Sequence, residues 1–346
     1  SKIKEKNPAI KVAVADRELK EGSLREFIRS KVFYLSQEKL SDDVYVLEEE
    51  EVLRLKEKIE KVGKPLKDWD VRIYRGVLTG FNEAFIIDSQ RREEILANCR
   101  DEEERRRTEE IIKPVLRGRD IGRYYYKWAG LWLILIPAGW TNQNRGKESP
   151  EEYVKRTIPA VYNHLLSFAN MSGRGRTKGL INRDDQGDYW WELRPCDYYQ
   201  EFEKEKIVWQ EIVREPSFTM DFNRMYVEAT GFIMTGKNLK YLLVVLNSLP
   251  AGQLFKIFYS GGGLGEDGYR YKKAFLENFP IPPITKENQA IAEQIEELVS
   301  QILQIKDQDP NADTQELERH IDQLVYQLYK LTPEEIELIE RKLTHN

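Results

Sequence analysis

A change of hydrophobic pattern near residue 285 constrains the fold of this chain more than any other feature of its sequence. The segment NFPIPPIT, residues 278–285, contains Pro280, Pro282 and Pro283, and prolines at that spacing can continue neither a helix nor a central strand. Beyond them, apolar residues recur at alternating intervals of four and three, at Ile291, Ile295, Leu298, Ile302 and Ile305. We therefore predict a boundary between residues 284 and 285, with helical packing after it.

The same spacing returns after the turn KDQDPNAD, at Leu317, Ile321, Leu324, Leu328 and Leu331. Residues 285–346 are therefore predicted to form an antiparallel helical hairpin. Asp313 with Glu316, and Thr332 with Glu335, have the form of helix starts, so a further short helix is expected after Thr332. The hairpin could serve as an oligomerisation arm or as a strut within the chain, and the spacing alone does not separate these uses.

Residues 69–284 carry strand and helix patterns in alternation. Short β-branched and aromatic runs predict strands within WDVRIYRGVLTGFNEAFII, LWLILIP, KIVWQEIV and RMYVEATGFIM. NLKYLLVVLNSL is typical of a helix, and one charged helix is predicted across SQRREEILANCRDEEERRRTEEIIKPVL, with Pro114 ending it. This mixture predicts an α/β (mixed α+β) domain built on a mixed sheet.

Residues 1–68 are interpreted as a lead-in segment. A strand is predicted at VFYL, and a helix follows whose apolar positions are Val52, Leu55, Ile59 and Val62. The sequence begins at Ser1 and enters charged sequence at once. We expect the chain to be part of a longer protein.

Charge is divided unevenly along the chain. The formal net charge is −5, but residues 286–346 hold 6 Lys+Arg against 14 Asp+Glu, which leaves 48 basic and 45 acidic residues before them. The body is therefore weakly basic and carries an acidic tail. The negative total does not exclude nucleic acid as a partner.

Composition gives little support to membrane, disulfide or metal-binding classes. No apolar run reaches the roughly 20 residues that a membrane helix needs. Cys99 and Cys196 are the only cysteines, which is typical of a reducing cytoplasm, and His164, His320 and His345 are scattered. We expect a cytoplasmic protein with no metal site and no membrane partner.

No catalytic constellation emerges from the sequence. Transfer of a methyl group from S-adenosylmethionine to an adenine amine requires a glycine loop after a strand and an Asn/Asp-Pro-Pro-aromatic tetrapeptide. SGGGLGEDG, residues 260–268, follows a helical segment, and NFPIPP places residues between Asn278 and its prolines. We predict no catalytic residue and no cofactor in this chain; an enzyme that uses the glycine loop is the alternative.

The most basic loop predicts a recognition surface. MSGRGRTKGLINR, residues 171–183, has four cations and no acidic residue: Arg174, Arg176, Lys178 and Arg183. Guanidinium groups can bind phosphates and can also donate in pairs to guanine edges. These residues are candidates for DNA binding, with an ordinary solvated loop as the alternative.

Two nearby segments add candidates of other kinds. GWTNQNRGK, residues 139–147, presents amides suited to adenine edges, together with a cation, at Asn142, Gln143, Asn144 and Arg145. DYWWELRP contains Trp190 and Arg194, which could contact DNA, although packing of the tryptophans in the core is the favoured alternative.

Several motifs follow one another in a fixed order: IYRGVLTGFNEAFIID, IIKPVLRGRDIGRY, KIVWQEI, LNSL, FPIPPI and ELERHIDQLVYQLYKLTPEEIELIE. In that order they resemble the TaqI-like C-terminal specificity region of type II restriction-modification enzymes that methylate adenine N6. The resemblance runs from about Lys58 to the C-terminus. The prolines and the helical hairpin also resemble the spacer of type I restriction specificity subunits.

The resemblance implies a target recognition domain that reads duplex DNA, while a methyltransferase domain, with or without a nuclease, acts in cis or in trans. It implies S-adenosylmethionine for the full-length parent, with Mg²⁺ where a nuclease is present, and a lead-in over residues 1–68 that links to the catalytic domain. Within YRGVLTGFNEAFII, Arg75 and Thr79 are expected to contact phosphate, while Asn82 and Glu83 tie the turn together. A protein-docking module that uses the hairpin and binds no DNA is the alternative.

Overall fold

The predicted mixed α/β class is confirmed: several sheets and many helices are present, with a helical region at the C-terminal end. The computed structural model describes residues 9–13, 32–36, 50–171, 179–260 and 268–344.

The strands of the described residues are, in chain order, β1 Ala9–Val12, β2 Phe33–Ser36, β3 Lys64–Pro65, β4 Val71–Arg75, β5 Ile86–Asp88, β6 Ile112–Leu116, β7 Ile121–Gly122, β8 Tyr125–Tyr126, β9 Leu131–Ile134, β10 Lys206–Gln210, β11 Ile212–Val213, β12 Phe218–Asp221, β13 Tyr226–Val227, β14 Gly231–Gly236, β15 Tyr269–Arg270 and β16 Pro280–Ile281.

The α-helices are α1 Glu50–Val62, α2 Asn82–Phe85, α3 Ser89–Ala97, α4 Glu102–Ile111, α5 Trp140–Asn144, α6 Pro150–Thr157, α7 Pro159–Leu166, α8 Leu239–Asn247, α9 Leu249–Phe258, α10 Lys273–Leu276, α11 Gln289–Gln308, α12 Gln315–Leu328 and α13 Pro333–Thr344.

A four-stranded antiparallel sheet in the order β12-β10-β14-β4 separates two hydrophobic cores. Successive side chains of a strand point to opposite faces. Along β10, Ile207 and Trp209 therefore lie in the first core and Val208 lies in the second. Along β14, Met234 lies in the first core and Ile233 lies in the second. The sheet is buried on both faces, which explains its long apolar runs.

The second core lies between this sheet and another four-stranded sheet, in the order β13-β6-β9-β5. In the second sheet β13 and β6 run parallel, while the other neighbours are antiparallel, so a mixed sheet is present as predicted. Val115 and Leu133 of this sheet share the core with Val154 of α6 and Val161 of α7.

The C-terminal helices use their apolar seam inside the chain. Ile295 and Ile302 of α11 and Ile321 of α12 are buried in the first core, which also contains Leu55 and Ile59 of α1. α11 packs against α8, and α12 and α13 pack against α9. The seam is occupied within the chain, which favours the strut over the oligomerisation arm. The domain limits at residues 68/69 and 284/285 stay a prediction.

Of the two expected helix starts in the tail, the one at Thr332 has its capping contacts, whereas α12 begins at Gln315 with Thr314 in place of Asp313 at the N-cap. The Oγ1 of Thr332 accepts a hydrogen bond from the backbone N–H of Glu335 at 3.3 Å, and the Glu335 carboxylate accepts one from the N–H of Thr332 at 2.8 Å. This reciprocal capping fixes the beginning of α13.

The single charged helix predicted across residues 89–116 is wrong. Asp101 interrupts it, because its carboxylate caps α4 by accepting a hydrogen bond from the N–H of Glu104 at 2.7 Å. The segment therefore forms α3 and α4, and Pro114 lies in β6 opposite Trp132 of β9. The predicted strand-turn-strand at 69–87 also differs, since Asn82 and Glu83 begin the short helix α2.

Within the described ranges, no single helix is long and apolar enough to cross a membrane. α8 and α9 reach that length and hydropathy only when they are taken together, across a bend of 70°.

Candidate nucleic-acid interface

Arg183 is a buried hub of the loops that follow β9. Its guanidinium group has five N–H groups and donates to five backbone carbonyls, those of Thr79, Leu180, Asp185, Trp190 and Glu192. The side chain is 5% exposed and lies over the ring of Phe85. Burial lowers the pKa of Arg183 to about 10, so the group keeps its charge at pH 7. The predicted DNA contact at Arg183 is therefore corrected to a structural role.

Glu192 joins two of the predicted recognition segments. Its buried carboxylate accepts hydrogen bonds from the N–H groups of Gly139 at 3.0 Å, Thr141 at 2.9 Å and Asp188 at 3.0 Å. Trp191 adds a bond from its indole N–H to the Oγ1 of Thr141 at 2.9 Å. These contacts fix the start of α5 against the loop that contains Arg183.

The turn between β4 and α2 is fixed to the same loop. Thr79 is 1% exposed, and its hydroxyl donates to the Oδ1 of Asn82 at 2.5 Å. Thr79 therefore caps the turn and is not placed to bind phosphate, which corrects the prediction. Gly80 has φ +69°, and a Cβ there would lie 2.8 Å from Asp185. Asn82 also donates to the Glu228 carboxylate at 3.3 Å, so its predicted role in tying the turn matches its contacts.

The amides of α5 divide into engaged and open groups. Asn142 donates to the Oδ2 of Asp188 at 2.8 Å, and its Oδ1 accepts from Arg145 Nε and from Tyr189 Oη at 2.8 Å each. Asn142 and Arg145 are therefore hydrogen-bonded within the fold while keeping exposed surface, and their contact with DNA stays a prediction.

Asn144 and Gln143 are the open members of α5. Asn144 is exposed and donates to the Trp140 carbonyl at 2.7 Å, which leaves its side-chain oxygen open. Gln143 is exposed, and its side-chain amide has no hydrogen-bond partner in the part of the chain that the structure describes. Within α5, these two side chains keep polar atoms that have no partner among the described residues.

The tryptophans after Arg183 pack in the core. Trp191 is buried, and Trp190 is half-buried with its ring centre 5.7 Å from that of Tyr162 and 5.4 Å from that of Trp191. Trp190 therefore packs against the edge of the core, and its contact with DNA stays a prediction.

Arg75 and Arg194 line one cleft of about 470 Å³ together with Cys196, Tyr198 and Tyr199. Arg75 donates from Nε to the Ala229 carbonyl at 3.1 Å. Arg194 pairs with Asp185 at 3.4 Å. Both guanidinium groups retain exposed surface. The other predicted contacts, Arg174, Arg176 and Lys178, lie outside the described residues.

Across the described ranges, no group of three His, Cys, Asp or Glu side chains is arranged so that it could hold a metal ion. The glycine loop considered as a cofactor site falls largely at residues 261–267, outside the described residues.

Part of the chain that contains these loops and sheets matches a known protein family. Residues 113–281 match the TaqI-like C-terminal specificity domain. The resemblance inferred from the motif order is thus confirmed over that span, which contains α5, the Arg183 hub and the strands β6 to β16. No curated protein sequence matches the chain significantly.

Two solved structures also resemble the chain, and both alignments cover more of it than the family match does. The type IIL restriction-modification enzyme MmeI in complex with DNA aligns with a TM-score of 0.50 at 13% identity, over 92% of this chain and 40% of that one. The type IIG restriction endonuclease BpuSI aligns with a TM-score of 0.44 at 14% identity, over 86% of this chain and 36% of that one. The chain thus spans well under half the length of either enzyme, and the likeness to MmeI concerns the fold.

The sequence did not single out two acids that organise the specificity-domain loops. Glu192 lies between Trp191 and Leu193, and a carboxylate that is buried with such neighbours needs hydrogen-bond donors. Glu228 follows β13 without any comparable signal. It receives bonds from Asn82 and from the Thr230 hydroxyl.

Proposed function

We propose that this chain recognises a specific sequence in double-stranded DNA as the specificity region of a restriction-modification enzyme. The match of residues 113–281 to the TaqI-like C-terminal specificity domain carries this proposal. The structural likeness to MmeI, whose structure contains DNA, is consistent with it.

The loops are suited to contact the edges of DNA bases, because a rigid part of the fold holds them in position. Glu192 and Arg183 hold the backbone of α5 and its neighbouring loop, so the open amides of Gln143 and Asn144 project from a fixed support. A side-chain amide can form two hydrogen bonds with the edge of an adenine, which distinguishes adenine from the other bases. A pre-organised support limits the conformational entropy lost on binding.

Catalysis is assigned to the remainder of a larger parent. In this proposal the parent methylates adenine N6 with S-adenosylmethionine, and cleaves DNA with Mg²⁺ where it includes a nuclease. The present chain supplies no catalytic residue and sets where the methyltransferase domain acts, in cis or in trans. It has no turnover by itself.

Titration of a labelled DNA duplex with the purified chain, at several salt concentrations, tests the proposal. We expect binding that weakens steeply as salt rises, because released counterions contribute to the affinity. Absence of binding even at low salt would favour the protein-docking alternative. A rise of the melting temperature with S-adenosylmethionine would contradict the absence of a cofactor site.

A further inference from the structure

Three cations surround one carboxylate at the end of the first sheet. Glu211 lies between β10 and β11, and its side chain is 16% exposed. Its carboxylate lies 3.3 Å from Nη1 of Arg270, 3.8 Å from Nζ of Lys272 and 4.0 Å from Nη2 of Arg75. One carboxylate cannot neutralise three cations, so a net positive charge remains at this end of the sheet.

The cations stand at the surface while the acid lies below them. The side chains of Arg75, Arg270 and Lys272 are 51%, 38% and 41% exposed. Their shared contact with Glu211 restricts their positions without covering them. This arrangement leaves N–H groups free to meet an anion from solution.

A shallow cleft of about 450 Å³ extends the cluster. Arg75 and Glu211 line it together with Arg117, Arg119 and Glu228. Arg117 is neutralised by Asp120, whose carboxylate it contacts at 2.7 Å, whereas Arg119 is exposed. Four cations thus face the two carboxylates Glu211 and Glu228 when the Arg117 pair is set aside.

The cluster adjoins the cleft that contains Arg194. Arg75 lines the shallow cleft and also the cleft that contains Arg194. Asn82, in the turn held by Arg183, donates to Glu228 of the same cleft. The two clefts thus hold a row of arginines, from Arg194 through Arg75 to Arg119.

We propose that Arg119, Arg270 and Lys272 form a phosphate-binding ridge that holds the backbone of duplex DNA beside the base-reading loops. The inference rests on the proposed function and adds a second, sequence-independent part to its surface. Contacts to phosphates position a protein on the duplex, and they carry no base information directly. The ridge therefore sets affinity and register, while α5 sets preference.

The test compares two triple variants of the full chain. Arg119→Gln with Arg270→Gln and Lys272→Gln neutralises the ridge. Lys61→Gln with Lys286→Gln and Arg319→Gln neutralises three exposed cations of α1 and the C-terminal region, which gives the same change in net charge. Both are titrated with a duplex that carries the preferred sequence and with a scrambled duplex, and their melting temperatures confirm that they fold.

We expect the ridge variant to lose affinity for both duplexes by the same factor, roughly 10- to 100-fold at 0.1 M salt. The slope of log K against log salt should fall in magnitude by about 2 to 3, since each phosphate contact contributes about 0.9. The control variant should keep most of its affinity. A folded ridge variant that binds as tightly as the control overturns the ridge alone, whereas an unmodified chain that binds no duplex at low salt overturns the proposed function as well.

Discussion

At the scale of single residues, burial decides what a side chain of given chemistry does. Arg183 and Arg194 lie in one basic and aromatic stretch of sequence, yet one is a buried hub and the other is exposed. Two of the three partners of Asn142, Asp188 and Tyr189, are more than forty residues away in sequence. No local pattern distinguishes Asn142 from Gln143, so the sequence identified the amide-rich turn but not the amides that remain open.

Arg183→Lys should lower the free energy of unfolding by about 2–4 kcal/mol, although it keeps the charge. An ammonium group has three donors and cannot reach five carbonyls, so buried acceptors lose their partners. Urea unfolding measures the effect, with Arg194→Lys as a matched control that should cost under about 0.5 kcal/mol. Equal stability of the two variants would contradict the structural role of Arg183.

Gln143→Ala should change the preferred DNA sequence while leaving the salt dependence intact. A lost bidentate contact to a base is worth about 1–3 kcal/mol of discrimination. Binding to duplexes that differ at one base pair measures the change, and Gln301→Ala, an exposed amide on α11, is the control. An equal loss of affinity on every duplex would assign Gln143 to the backbone instead.

At the scale of elements, patterns along the chain predicted what local spacing encodes. The hairpin of α11 and α12 and the start of α13 follow from apolar periodicity and capping residues. The sequence did not predict the break between α3 and α4. Asp101 lies within a run of charged residues, and nothing in that run distinguishes a capping aspartate from the others. The order β12-β10-β14-β4 depends on contacts between distant segments, which a single sequence does not specify.

His164 joins three elements and should make the chain sensitive to acid. Its Nε2 donates to the Ala84 carbonyl of α2 at 2.9 Å, and its Nδ1 accepts from Arg91 of α3 at 3.0 Å. Burial lowers the pKa of His164 below its usual value near 6.5. The unfolded chain therefore takes up the proton first, and the stabilisation is full above pH 6.5 and declines as pH falls below it.

His164→Gln should be less stable than the unmodified chain by about 1–2 kcal/mol at pH 7.5, and the difference should shrink at pH 5.5. Urea unfolding at both pH values measures it, with the exposed His320→Gln as control. A difference that stays constant with pH would show that protonation of His164 does not contribute.

At the scale of the whole molecule, polar contacts join the C-terminal helices to the body in addition to apolar packing. Arg123 contacts Glu318 of α12 at 2.6 Å, and Asp322 of α12 accepts a bond from the N–H of Leu249 at 2.8 Å. Burial raises the pKa of Asp322 to about 6. The charged carboxylate is thus a cost at neutral pH, and stability from this group increases as pH falls from about 7 towards 4.

Asp322→Asn should stabilise the chain at pH 7 by about 1–2 kcal/mol. The amide oxygen can still accept from Leu249, while the cost of a buried charge disappears. At pH 4 the two chains should have similar stability, because Asp322 is then protonated. Glu316→Gln, on the exposed face of α12, is the control and should have little effect; a destabilising Asp322→Asn would contradict the assignment.

Selection from a randomised duplex pool shows whether this chain recognises a DNA sequence. The purified chain is incubated with the pool at low and moderate salt, and the bound DNA is recovered and sequenced. We expect enrichment of one short motif that persists as salt is raised. DNA binding without any enriched motif, or no binding at either salt, would contradict the claim that this chain reads sequence by itself.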